Sequence, residues 1–158
     1  MKDLKTALGD NARAVNRVLD DLLKLSDGPE SRVVEAMRYT ALNGGKRIRP
    51  FLVTASAELF NVDKGQALRV AAAVEMIHCY SLIHDDLPAM DDDDMRRGQA
   101  SCHVAFDEAT AMLAGDALLA LLEKTKARLE AEGLWVESLL ELNLRESARV
   151  TSGDTAGG

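Results

Sequence analysis

Residues 66–83 read QALRVAAAVEMIHCYSLI, and apolar side chains fall on nearly every side of the helix this run would form. A helix that is hydrophobic all round must be covered all round, so the stretch predicts the central helix of a larger helical bundle. Working outward, residues 12–25 place Val15, Val18, Leu19, Leu22 and Leu23 at helical spacing, and residues 31–42 repeat the pattern with Val33, Val34, Met37, Ala41 and Leu42. Asn43, Gly44 and Gly45 stop the second helix, because glycine tolerates the left-handed conformation at a helix C-terminus. Pro50 suits the first turn of a third helix, running through Phe51, Leu52, Ala55 and Leu59 to Asn61. A further helix over residues 104–119 carries Phe106, Met112, Leu113 and Leu118, with the small residues Ala114, Gly115 and Ala117 permitting close approach by a neighbour. Nothing reads as a strand ladder, and the predicted class is all-α.

The composition, 47% hydrophobic and 28% charged, is that of an ordinary globular domain. A formal net charge of -7 argues against nucleic-acid binding, which needs a basic surface to displace counterions. No apolar run reaches the roughly 18 residues of a membrane span, and the N-terminus shows no signal-like apolar core, so a cytoplasmic protein is expected. Cys79 and Cys102 have no C-x-x-C spacing and read as reduced thiols, with a disulfide left open.

Residues 84–98 read HDDLPAMDDDDMRRG. A run of aspartates is usually a solvated loop. Here, however, the acids begin at the end of the most buried helix, so Asp85 and Asp86 are delivered from a core element and their charges need partners. Carboxylates grouped without cysteine favour hard cations, Mg²⁺ above all, and Mg²⁺ shares its shell with water and phosphate oxygens. His78 and Asp85, two turns apart, share one helix face. Asp91 on an uninterrupted helix would be turned roughly 120° from Asp85. Pro88 predicts a break near residues 87–90 that returns Asp91 toward Asp85. The order of acids lacks the glycine and terminal glutamate of an EF-hand calcium loop, which excludes that reading. Asp92, Asp93 and Asp94 lie beyond this set and are expected to do little more than raise the local negative potential.

Lys46, Arg47 and Arg49 follow two glycines, and Arg96 and Arg97 directly follow the acids. These cations either balance the aspartates across a surface or bind anions. Arginine offers phosphate a planar fork, lysine a point charge, and glycine lets the backbone approach a bulky anion. Two basic sets around one acidic centre suit two phosphorylated ligands. A histidine such as His78, taken alone, is more often a hydrogen-bonded core residue, and the face it shares with Asp85 narrows that margin.

The stretches GGKRIRP at 44–50, EMIHCYSLIHDDLPAMDDDDMRRG at 75–98 and CHVAFDEATAMLAGDALL at 102–119 resemble the trans-prenyltransferases, or polyprenyl synthetases, and among them the bacterial farnesyl diphosphate synthases. The resemblance covers residues 10–119. It implies the isoprenoid-synthase helical bundle, present in part, and a Mg²⁺-dependent condensation of an allylic diphosphate, dimethylallyl or geranyl, with isopentenyl diphosphate to farnesyl diphosphate. In that chemistry the allylic C–O bond ionises, the second substrate's alkene attacks, and a proton leaves with the departing diphosphate. No side-chain nucleophile is required. By the same resemblance Asp85, Asp86 and Asp91 match the first aspartate-rich, metal-binding motif, with Asp85 and Asp91 as direct ligands. Lys46, Arg49, His78 and Arg97 match the isopentenyl diphosphate site, and Arg96 matches the arginine on the allylic diphosphate. Tyr80 matches a position that limits product length, where its ring would form a floor; it is equally a core aromatic.

The family carries a second aspartate-rich motif on later helices, and residues 120–158 contain no paired aspartates. The expected division is therefore residues 1–119 as the N-terminal portion of the bundle, and 120–158 as a helical tail ending in the flexible TSGDTAGG. Two readings follow: an incomplete form of a prenyltransferase, or a non-catalytic diphosphate-binding module that pairs with a full-length subunit. Half a bundle would leave the helix at 66–83 partly uncovered, so a homodimer is expected.

Overall fold

The computed structural model describes residues 3–133, which form six helices and one short hairpin. Helix α1 (Leu4–Leu22) starts at Asp3, whose carboxylate accepts from the Thr6 amide at 2.7 Å. Helix α2 (Ser31–Ala41) ends, as expected, ahead of Gly44 and Gly45, which take positive φ of 68° and 106°. Helix α3 (Ile48–Leu59) holds Pro50 in its first turn, where the missing N–H has no intrahelical partner to lose. Helix α4 (Lys64–Asp85) is capped by Asp63, which accepts from the Gln66 amide at 3.0 Å.

Helix α4 is the central element that its sequence requires. Residues 70–77 are buried without interruption, and α4 packs against α1, α2, α3 and α6 (Glu108–Ala131). Ala71, Ala72 and Ala73 are fully buried and let the neighbours approach closely, while Met76 and Ile77 fill the space between them. Burying an apolar side chain of that size is worth about 1.5–3 kcal/mol. Leu68, Tyr80 and Leu82 of this helix are only partly covered, and the apolar side chains that stay most exposed lie elsewhere. They include Ile48, Leu52, Leu59 and Phe60 on and after α3, and Met112 and Leu113 on α6. Helix α3 is thus an outer element, with Leu52 and Leu59 exposed.

Three boundaries differ from the sequence reading. A two-stranded antiparallel hairpin, β1 (Met95–Arg96) and β2 (Gln99–Ala100), follows the aspartates. Its loop residues Arg97 and Gly98 both have positive φ, 53° and 77°, the geometry that matches the twist of a tight hairpin. The helix expected over 104–119 is two helices: α5 (Cys102–Ala105), then α6, restarted at Asp107. The Asp107 carboxylate accepts from the Thr110 amide and hydroxyl at 2.7 and 2.9 Å. Helix α6 continues through Leu119 and Ala120 to Ala131, so the division drawn at that point falls inside one helix. The tail expected beyond residue 133 lies outside the described residues. Cys79 and Cys102 are both buried free thiols, and burial pushes that of Cys79 up to about 12.

Candidate functional site

The C-terminal end of α4 carries the acids, and the chain there turns back on itself. Helix α4 ends at Asp85, and the Leu87 and Met90 amides donate to the carbonyls of His84 and Leu87 at 3.2 and 2.8 Å. The Asp91 amide then donates to the Asp85 carbonyl at 2.8 Å. This is the break expected at residues 87–90, and it sets Asp91 beside the last residue of the helix. Asp85 is half-buried and Asp91 exposed. Burial, then the negative charge of Asp91 and of Asp86, pushes the Asp85 carboxyl above its ordinary value, against the pull of Arg96 and His84. An acid strained in this way is eased by a nearby cation.

Asp86 lies differently. Its side chain is 3% exposed, and both oxygens face Arg96: Nε donates to Oδ2 at 3.1 Å and Nη2 to Oδ1 at 2.5 Å. Asp92, Asp93 and Asp94 are exposed. The Ser101 amide donates to the Asp94 carbonyl at 2.9 Å and the Ser101 hydroxyl to that of Asp93 at 2.5 Å, which fixes the backbone of this run while leaving its carboxylates outward.

The hairpin brings the two basic sets together. Arg97 Nη1 donates to the Gly44 carbonyl at 2.8 Å. A Cβ on Gly45 would lie 2.8 Å from the Arg97 guanidinium carbon, so the absence of a side chain there is what admits Arg97. Lys46 and Arg49 stand exposed on the same loop and the start of α3. His78 is half-buried one face along α4; burial lowers its pKa first, Glu75 opposes, and the cations Arg49, Arg97 and Arg96 lower it further. The unbroken α4 keeps His78 and Asp85 two turns apart on one face.

Arg47 departs from its neighbours. Sequence grouped it with the anion-binding cations, but it is buried, and its guanidinium donates to Glu75, to the Ala41 carbonyl and to Asn16 Oδ1. A lone glutamate inside the apolar run was the available signal for such an internal partner. Tyr80 packs against the core, its ring edge-on to His84 with centroids 5.0 Å apart. His84 in turn reaches the Met112 carbonyl at 3.1 Å through Nε2, in a space where a Cβ on Gly115 would come within 2.2 Å. The sequence marked Gly115 as a point of close approach without identifying His84 as its occupant.

The donors near Asp85 and Asp91 are carboxylate oxygens, and among the described residues no three histidine, cysteine or acidic side chains gather into a closed metal cage. That set fits Mg²⁺, which takes one or two carboxylates and completes its shell with water and phosphate oxygens.

A family model for polyprenyl synthetases matches residues 30–155. The farnesyl diphosphate synthase of Escherichia coli is 65% identical over 89 residues, 56% of this chain and 30% of that protein. A chloroplastic geranylgeranyl pyrophosphate synthase of Catharanthus roseus is 48% identical over 118 residues, 75% of this chain and 32% of its own. The crystal structure of an FPP/GFPP synthase from Zymomonas mobilis superposes with a TM-score of 0.76 at 52% identity, covering 78% of this chain and 45% of the other. The chain thus spans about a third of the length of the curated relatives it matches.

Proposed function

Because the chain belongs to the polyprenyl synthetase family, we propose that the end of α4 and the hairpin form one wall of a Mg²⁺-dependent prenyltransferase site. On it an allylic diphosphate, dimethylallyl or geranyl, is held for condensation with isopentenyl diphosphate to farnesyl diphosphate. The observation that carries this reading is the return of Asp91 to Asp85 through the 2.8 Å backbone bond, with cations at Arg96 and Arg97 following directly.

Asp85 and Asp91 would hold Mg²⁺, whose remaining shell can take phosphate oxygens. When bound, the metal supplies Lewis-acid neutralisation of the charge that develops on the leaving diphosphate. Arg96 meets the same diphosphate. Lys46, Arg49 and Arg97 take isopentenyl diphosphate, and His78, kept neutral by burial, meets it with a ring N–H rather than a charge. Tyr80 would floor the allylic pocket; the relatives include both farnesyl and geranylgeranyl synthases, and the farnesyl product is proposed from this ring. A homodimer and a cytoplasmic location belong to the same proposal. Among the described residues no helix is long and apolar enough to cross a membrane. The exposed apolar side chains on α3 and α6 are the surface a second copy would cover, which sedimentation or light scattering tests.

The deciding experiment incubates the purified chain with Mg²⁺, isopentenyl diphosphate and geranyl diphosphate. Release of inorganic diphosphate with a farnesyl product supports the enzyme. Binding of both substrates without release supports the second reading, a diphosphate-binding module.

A further inference from the structure

We infer that Asp86 is not a metal ligand but a positioning residue, and that it acts by holding Arg96 with one edge of its guanidinium free for a diphosphate. The inference rests on the diphosphate-binding reading above and assigns a distinct task to the one acid of the motif that the fold buries.

Three observations carry it. First, access: the Asp86 side chain is 3% exposed, whereas Asp85 is half-buried and Asp91 exposed. Mg²⁺ gives up its waters reluctantly and is approached by carboxylates that can share its hydrated shell, which a carboxylate sealed under the hairpin does not do. Second, occupancy: both Asp86 oxygens already accept from Arg96, in a two-point pair that fixes the plane of the guanidinium. Third, the edge that remains: Asp86 takes Nε and Nη2, while Arg96 Nη1 has no hydrogen-bond partner among the described residues and the side chain is 34% exposed. A guanidinium bonded along one edge and open along another is oriented for a phosphate oxygen pair before any ligand arrives. The backbone reinforces this, since the Asp93 amide donates to the Asp86 carbonyl at 3.2 Å and so ties the acidic run to the same residue.

The test titrates the whole chain with inorganic diphosphate, with Mg²⁺ and with the metal chelated away. The ratio of the two affinities reports the metal's contribution, and their absolute values report the direct cationic contacts. Asp86→Asn should weaken binding about tenfold in both conditions, the scale of one charge-assisted hydrogen bond, and keep the ratio. Asp85→Asn should collapse the ratio. In an Arg96→Gln background Asp86→Asn should add nothing, because its effect runs through the arginine. Should Asp86→Asn prove poorly folded by circular dichroism, Asp86→Glu keeps the charge, displaces the arginine and should show the same pattern. The inference is overturned if Asp86→Asn collapses the ratio as Asp85→Asn does. It is equally overturned if both affinities are unchanged, or if the Asp86 and Arg96 effects add in full. A wild-type chain that binds diphosphate in neither condition removes the diphosphate site itself, an outcome distinguishable from the others.

Discussion

Replacing Arg47 with methionine should cost this fold a large part of its stability. The Arg47 and Glu75 side chains are 1% and 3% exposed, and the guanidinium ties three helices: Glu75 on α4, the Ala41 carbonyl at the end of α2, and Asn16 on α1 at 3.1 Å. Arg47→Met keeps most of the side-chain volume but leaves a buried carboxylate and a buried carbonyl without their donor. Breaking a buried pair from one side costs about 3–5 kcal/mol, against a total of about 5–15 kcal/mol for a small domain. With a urea dependence of about 2 kcal/mol per molar, the unfolding midpoint should fall by roughly 2 M. The paired variant Arg47→Met with Glu75→Leu removes both charges and should recover most of the loss, because the desolvation cost disappears with the acid. Equilibrium urea unfolding followed by circular dichroism reads both. If the single change costs less than about 1 kcal/mol, or the double variant is no more stable than the single, then the pair is not the internal brace described above.

Gly45→Ala should force Arg97 off the Gly44 carbonyl, since the added Cβ meets the guanidinium at 2.8 Å and the position has φ of 106°. The strain is worth about 1–3 kcal/mol, and affinity for isopentenyl diphosphate should fall alongside the urea midpoint. The Asp107 carboxyl is held down to about 2 from 3.8, chiefly by the Thr110 amide, then by Arg32 and the Thr110 hydroxyl. Its stabilising contribution is therefore present above its unfolded value and lost as pH falls through the range from 3.8 to about 2. The gap in urea midpoint between wild type and Asp107→Ala should narrow over that interval. Tyr80→Ala should lengthen the prenyl products of an active chain, as read by chromatography; unchanged product length would leave Tyr80 as a core aromatic only.

Much of the bundle was legible because its central helix leaves no ambiguity: a run apolar on every side, too long for a strand, has to be wrapped. The break after Asp85 was legible as well, since proline and a fixed helical period make opposite demands on Asp91. The hairpin was not, because strands of two residues carry no alternation, and only the Arg97 and Gly98 pair hints at the turn. Arg47 was misread for a related reason. Lys46, Arg47 and Arg49 are chemically alike in a row, and only the third dimension reveals that the middle one points to Glu75. The pairing of Asp86 with Arg96 spans ten residues across a reversal, a distance at which sequence spacing says nothing about contact.

The backbone bond between Asp91 and Asp85 also determines what this loop can tolerate over time. The distance between the two carboxylates is gauged by main-chain atoms, and Pro88, Ala89 and Met90 between them face solvent. The exposed side chains of Ala89 and Met90 therefore contribute little to the closure, while Pro88 keeps its part in ending the helix. Inserting or deleting one residue would change the span that closes onto the Asp85 carbonyl, and no side chain elsewhere could restore it. The number of residues between Asp85 and Asp91, more than the exposed side chains along the turn, sets how the main chain closes.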